Sequence, residues 1–233
     1  MKKDIRKQNA KKDIFVIFLT SLIPMVVYLI FESSWRSFHQ DINVHFWYKF
    51  ALQCFISYCL AGLGFTIVML WRKEKFSHFG LLSKNTLVSI VLSAVVFLPH
   101  FIFLMVTKGY HGYAPMSGAI LYDSIMQRPF LQQLFCMVVV FAIWGFCEGF
   151  TYVYIGRKVN DIFPIKNQYL NWGAIIGGTL CVMMHGGIAL NWISFFDAIT
   201  MFLFVYGILT IKDITNNAWG CVASFLFLWN AFP

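Results

Sequence analysis

Charged residues are scarce in this chain of 233 residues: Asp, Glu, Lys and Arg make up only 12% of it, about half the share usual in globular proteins. A soluble surface needs more charge, so the composition excludes a cytosolic enzyme and a disordered protein. The six cysteines are scattered through apolar segments without a C-x-x-C pair, which excludes a zinc ribbon and a disulfide-stapled secreted domain. We interpret them as small apolar residues packed between helices.

Apolar residues are abundant instead, since 59% of the chain is hydrophobic and the mean hydropathy is +0.69. This composition predicts an all-α, polytopic transmembrane helical bundle in the cell membrane. We divide it into N-terminal membrane helices and loops (1–129) and a helical core (130–233), which together form one structural unit. We predict seven spans, with six and eight as alternatives, at 13–31, 47–71, 86–107, 130–156, 170–190, 193–211 and 217–232.

The net charge of +8 does not indicate a nucleic-acid partner, because the positive charges are placed as topology signals. Six of the eighteen Lys and Arg lie in the first twelve residues. With the N-terminus in the cytoplasm, fourteen basic residues lie inside and four outside. The segment Glu32-Ser33-Ser34 does not resemble a cleavage site, so we predict that the first helix is retained. Of the outer connections 32–46 and 108–129, the second is either a cap or a plain loop.

Few ionisable residues fall within the predicted spans: Glu148, His185, Asp197 and, near an edge, His100. Intramembrane charges are costly and usually face the bundle interior. At 1.5 Å per residue, His185 and Asn230 lie about 21–22 Å from the same membrane face. Glu148 lies about 12 Å from that face if its helix ends at Gly156, and about 21 Å if the helix continues to Ile162. With the longer helix, the three polar side chains can share one layer of the bundle.

Small residues flank the same positions and allow helices to approach closely. They are the pairs Gly145-x3-Gly149 and Gly173-x3-Gly177, and Gly186 with Gly187 after the histidine. Their clustering around the polar residues favours a tight interior site, although ordinary helix packing explains each motif alone.

These polar groups can support hydrolysis. A neutral imidazole can bind Zn²⁺ or orient a water, a carboxylate can act as general base, and an amide can stabilise an oxyanion. We therefore take Glu148, His185 and Asn230 as candidate catalytic residues, and Glu148 and His185 as candidate Zn²⁺ ligands. A structural hydrogen-bonded cluster and an ion pathway are the alternatives that the residues alone leave open.

Residues 130–233 resemble the CPBP family of membrane proteins (CAAX proteases and bacteriocin-processing proteins, also called ABI). The stretch Glu148-Gly149-Phe150-Thr151-Tyr152-Val153-Tyr154 resembles the family motif Glu-Glu-x-x-Phe-Arg-Gly, with Glu148 at the first Glu and Tyr152 at the aromatic position. The motif Phe-x-x-x-His is matched by Cys181-x-x-x-His185, which keeps the His. The motif His-x-x-x-Asn is matched by Leu226-x-x-x-Asn230, which keeps the Asn, with Trp219 upstream.

The resemblance implies an intramembrane metalloendopeptidase that cleaves a peptide or prenylated substrate. It further implies that Glu148 activates a water, that His185 binds or orients that water, and that Asn230 contributes to the oxyanion site. Other members of the family are linked to bacteriocin maturation or immunity.

The departures from the motifs bear on activity. Gly149 replaces the second Glu, Val153 replaces the Arg, and Leu226 removes a metal-binding or water-orienting His. A Zn²⁺ site would have to recruit another ligand, such as Asp197 or Cys221. The alternative function is therefore a non-catalytic relative that binds a peptide or a partner membrane protein, for immunity or scaffolding. A transporter is a weaker third interpretation, because the sequence lacks duplicated halves.

Overall fold

A computed structural model describes residues 2–109, 112–165, 167, 170–185 and 191–232. Helices make up 80% of the structure, and the described part of the chain contains no strand, only an isolated bridge between Asn167 and Leu170. The α-helices are α1 (Lys2–Ile30), α2 (Glu32–Gln40), α3 (Phe46–Ala61), α4 (Leu63–Arg72), α5 (Thr86–Lys108), α6 (Tyr122–Met126), α7 (Phe130–Val140), α8 (Glu148–Ile162), α9 (Trp172–His185), α10 (Trp192–Thr215) and α11 (Trp219–Ser224). The prediction of an all-helical protein is confirmed.

Two π-helical segments lengthen these elements. Phe141–Cys147 joins α7 to α8, and Phe225–Trp229 extends α11. A short 3₁₀ turn, Phe76–Phe79, follows α4. Gly186 and Gly187, which the sequence predicts to lie beside the candidate site, lie outside the described residues. So does Lys166, one of the fourteen basic residues predicted to lie inside.

Fewer helices are long and apolar enough to span a membrane than the sequence predicts. Among the described residues four helices are long and apolar enough to cross a bilayer: Asp4–Ile30, Thr86–Lys108, Phe130–Ile162 and Trp192–Thr215. A fifth arises if α3 and α4, which are bent by 57° at Gly62, count as one broken span. The remaining predicted spans correspond to shorter apolar helices, Trp172–His185 and Trp219–Trp229. The seven-span count is therefore not confirmed, since 14 residues reach only about 21 Å at the rise of an α-helix.

The bend between α3 and α4 is supported by hydroxyl groups from neighbouring helices. Ser21 on α1 donates a hydrogen bond of 2.8 Å to the carbonyl of Leu60, and Thr151 on α8 donates to the carbonyl of Ala61. A broken helix at membrane depth is tolerated when the freed backbone groups find such partners.

One end of the bundle, which we call the basic end, is held by buried ion pairs. The Nζ atom of Lys158 on α8 lies 2.9 Å from Oδ2 of Asp13 on α1 and 2.6 Å from Oε1 of Glu74. The Nη2 atom of Arg72 lies 2.8 Å from Oδ1 of Asp13. The Asp13 and Lys158 side chains are only 1% and 5% exposed, so each needs its counter-charge. Tyr154 also donates a hydrogen bond to Glu74. Arg72 and Lys158, two of the fourteen basic residues predicted to lie inside, therefore also hold α1, α4 and α8 together.

The loop at the opposite end enters the bundle. The amide of Ala114 donates to the carbonyl of Ala231 at 2.9 Å, and Gly118 donates to the carbonyl of Asn230 at 3.4 Å. Met116 is fully buried. The connection 108–129 was predicted to be either a cap or a plain loop. Its part from Ala114 to Gly118 is a cap, because it covers the end of the short C-terminal helix.

Helices α8 and α9 run antiparallel and meet at two glycines. A side chain at Gly173 would overlap the carbonyl oxygen of Gly156, so only glycine permits this approach. Asn160 on α8 accepts a hydrogen bond of 2.8 Å from the amide of Gly173, which satisfies a free donor at the start of α9.

We expect Gly173→Ala to destabilise the protein by about 1–3 kcal/mol, because the added methyl group forces α8 and α9 apart. The matched control is Gly156→Ala, where the nearest atom to the new methyl group is 3.4 Å away, so we expect stability near that of the wild type. Unfolding by SDS titration in mixed micelles measures both. Equal loss in the two variants would contradict the assigned contact.

Candidate active site

Two of the three predicted catalytic residues meet in the structure. Glu148, the first residue of α8, lies with its Oε1 atom 2.8 Å from Nε2 of His185, the last described residue of α9. The Glu148 residue is only 8% exposed, whereas the His185 side chain is 36% exposed. The carboxylate is therefore buried with one polar partner, and the imidazole can still be reached from the neighbouring cavity.

The contact between the two glycines brings together the helices that carry this pair. Glu148 lies eight residues before Gly156, and His185 lies twelve residues after Gly173 on the antiparallel helix. The α9 separation is longer by four residues, about one helical turn, so the glycine contact sets the distance between the helices but not the register of the pair. A π-helical segment immediately precedes Glu148, and such segments occur frequently at functional sites.

Two of the three departures from the family motifs have apolar neighbours. Leu226, where the family has a His, packs against Gly145 so closely that a side chain at 145 would overlap it. A side chain added at Gly149, where the family has the second Glu, would lie 3.1 Å from Phe225. Both positions therefore belong to the packing of the C-terminal π-helical segment against the residues on either side of Glu148.

Asn230 lies against the buried 114–118 loop and not in the wall of the cavity that contains Glu148 and His185. Its side-chain oxygen faces Gly118 in the buried loop and lies 3.1 Å from the position that a Cβ atom at residue 118 would occupy. Its backbone carbonyl accepts a hydrogen bond from Ser117. Asn230 does not belong to the described residues that line the cavity beside Glu148 and His185.

This cavity has a volume of about 470 Å³ and lies between α1, α3, α8 and α9. Most of its lining is apolar, from residues such as Leu22, Ile143 and Leu180. Its polar lining consists of Glu148, His185, Thr151, Tyr152, Ser21 and Ser57. The sequence prediction missed the contribution of α1 and α3, although serines within apolar spans were a signal for it.

The other intramembrane polar residues lie outside the cavity. His100 Nδ1 lies 3.0 Å from the hydroxyl of Thr200, and the His100 ring stacks on Trp229 with centroids 5.4 Å apart. Trp229 also contacts the His185 ring, at 5.5 Å. Asp197 is half-buried on α10. Cys221 is buried and donates to the carbonyl of Ile208.

The donor set does not match a zinc site. No three His, Cys, Asp or Glu side chains come together anywhere in the described ranges. Catalytic zinc usually has three protein ligands, whereas Glu148 and His185 supply two. Asp197 and Cys221, the suggested replacements, do not line the cavity. We derive no chemical step through a metal, and the Zn²⁺ cofactor stays a prediction.

Comparisons with protein-family models, curated proteins and solved structures found no match to this chain. The resemblance to the CPBP family therefore depends on the motif residues and stays a prediction.

We expect Glu148 and His185 to be energetically coupled, because removal of either one leaves a buried polar group without its partner. A double-mutant cycle with Glu148→Ala, His185→Ala and the double variant should give a coupling of about 0.5–3 kcal/mol. The free energy of unfolding in mixed micelles is the measured quantity. A cycle with Glu148→Ala and Thr200→Ala provides the control and should be additive. A coupling near zero for the first pair would contradict the contact.

Proposed function

We propose that the chain is a multi-pass membrane endopeptidase that resembles the CPBP family and cleaves a peptide or prenylated substrate in or near the bilayer. The observation that carries this proposal is the Glu148–His185 pair at 2.8 Å, in the wall of a cavity large enough for a peptide segment. A carboxylate and an imidazole in contact, facing a mostly apolar cavity, are the groups that general acid–base hydrolysis requires.

In the proposed reaction the Glu148 carboxylate accepts a proton from a water in the cavity. The water oxygen forms a bond to the carbonyl carbon of the substrate, and the carbonyl π electrons move to its oxygen. When the tetrahedral intermediate collapses, the C–N bond breaks and Glu148 returns the proton to the leaving nitrogen. His185 holds the carboxylate through its Nε2 atom and orients the water. The oxyanion role of Asn230 remains a prediction from the resemblance.

The proposed setting is the cell membrane, with the N-terminus and the basic end on the cytoplasmic side. The basic residues of 1–12 and of the loops after α4 and α8 support this orientation. In the finer form of the proposal α3–α4, α9 and α11 also cross or enter the bilayer, which gives seven membrane segments. The short ones are completed by the buried part of the 108–129 loop and by neighbouring helices.

The alternative is a non-catalytic relative that binds a peptide or a membrane-protein partner in the same cavity. The apolar packing of Gly149 and Leu226 favours it, because both positions have lost the polar groups of the family motifs. In this case Glu148 and His185 stabilise the wall of the cavity without reacting.

We expect Glu148→Gln to lower the cleavage of a quenched fluorescent prenylated CAAX peptide by about 10²–10⁴-fold, the usual contribution of a general base. The fold should persist, because Gln keeps the size of Glu and can still hydrogen-bond to His185. The matched control is Asp197→Asn, another carboxylate within a helix but away from the cavity, which should keep full activity. Undiminished cleavage by Glu148→Gln would exclude the proposed base.

The alternative predicts a different pattern. Glu148→Gln would leave peptide binding unchanged, whereas Leu180→Trp, which fills the cavity, would abolish binding. Leu203→Trp is the control, because Leu203 is 48% exposed on α10 and does not line the cavity.

Metal content tests the predicted cofactor independently. Elemental analysis of the purified wild type and His185→Ala should show stoichiometric zinc, lost in the variant, if this pair binds it. Equal zinc content in both proteins would exclude His185 as a ligand.

A further inference from the structure

A row of polar residues lies along one face of α3. Lys49, Gln53 and Ser57 follow one another at intervals of four residues, which places them on the same side of the helix. Gln53 is only 5% exposed, and its amide nitrogen donates a hydrogen bond of 3.2 Å to the hydroxyl of Ser57. Ser57 also lines the cavity that contains Glu148 and His185. This row therefore begins at the end opposite the basic end and reaches the candidate site.

Helix α2 covers the outer part of this row. Lys49 donates hydrogen bonds to the carbonyls of His39 (2.8 Å) and Asp41 (2.7 Å), which holds the end of α2 over α3. The Trp35 and His39 rings are in contact, with centroids 5.3 Å apart. The Gln53 amide lies next to the His39 ring, but no hydrogen bond of good geometry joins the two side chains. Trp35, His39 and Gln53 thus form one cluster between α2 and α3.

This cluster contains most of the unsatisfied polar atoms of the described structure. Of the six buried side-chain atoms that make no hydrogen bond there, four belong to it: Trp35 Nε1, both ring nitrogens of His39, and Gln53 Oε1. Buried polar atoms nearly always have a partner, and an ordered water is the usual one where no protein group serves. Burial first, and Lys49 second, lower the pKa of His39, so its ring is neutral at pH 7 and offers one donor and one acceptor. Together with a Trp donor and a Gln acceptor, this set suits water.

The proposed reaction consumes one water per bond cleaved, yet the cavity is lined mainly by apolar side chains. Towards the basic end the interior contains a packed aromatic layer, in which the Phe65 and Phe150 ring centroids lie 5.1 Å apart and Phe79 stacks on Tyr154 at 4.4 Å. The row on α3 instead provides polar groups from the opposite end of the bundle up to the cavity wall.

We propose that Trp35, His39, Gln53 and Ser57 form a buried water path that supplies the Glu148–His185 site from the end of the bundle opposite the basic end. The use of this water in hydrolysis depends on the proposed function, whereas the path itself does not.

X-ray radiolytic footprinting in lipid nanodiscs tests the path, because the hydroxyl radicals arise from the waters themselves and oxidise adjacent side chains. Tyr152 is the reporter, since it lines the cavity and is only 6% exposed. We expect oxidation of Tyr152 in the wild type and a decrease of about tenfold in Gln53→Leu, which removes the polar groups in the middle of the path. Gln53→Asn keeps an amide and should retain most of the oxidation. Trp71, 58% exposed at the basic end, provides the internal reference.

Two results would overturn the proposal: no oxidation of Tyr152 in the wild type, or equal oxidation in the wild type and Gln53→Leu. If Gln53→Leu unfolds, Ser57→Val interrupts the same path closer to the cavity and replaces it in the comparison. Glu148→Gln separates this proposal from the proposed function, because it should leave the footprint unchanged while it abolishes cleavage. A protein with an intact, Gln53-dependent footprint but no peptidase activity would retain the path and lose only the proposed reaction.

Discussion

The contact between α8 and α9 is the constraint on which the candidate site depends. Because Gly156 and Gly173 bring the two backbones together, the antiparallel helices stay close up to Glu148 and His185. Asn160 strengthens this contact by bonding to the amide of Gly173, and it also donates to Asp213 on α10. The polar pair is therefore positioned by small residues and by hydrogen bonds that lie about two to three helical turns away, towards the basic end.

The sequence predicted the parts of the structure that follow from regular helices. Each of the seven predicted apolar segments overlaps a helix in the described part of the chain. A constant rise per residue brings Glu148 to the depth of His185 when α8 continues to Ile162, as it does, so their proximity was predictable. The contacts of Asn230 could not be predicted in this way, because they depend on a π-helical segment and on the 114–118 loop. The bend at Gly62 and the burial of Met116 likewise result from contacts between distant residues, which periodicity does not encode.

The two ends of the bundle differ in how their buried polar groups are satisfied. At the basic end Asp13, Glu74 and Lys158 neutralise one another directly, so the buried charges are satisfied within the protein. In the cluster of Trp35, His39 and Gln53 the side chains are uncharged and leave hydrogen-bonding capacity unused. The ion pairs tolerate no loss of a partner, because removal of one ion would leave another buried and unpaired, whereas the uncharged cluster suits exchangeable small molecules. Glu148 lies between these regions, with one partner and access to a cavity.

The buried loop also constrains how the protein is made. Ser117 and its hydrogen-bond partner Asn230 are 113 residues apart in the chain, and the loop amides bind carbonyls of 230 and 231. During synthesis these partners emerge long after the loop itself. Until then the loop amides lack these acceptors, and the π-helical segment before Glu148 lacks its contact with Leu226. The packing next to Glu148 is thus completed late in the synthesis of the chain.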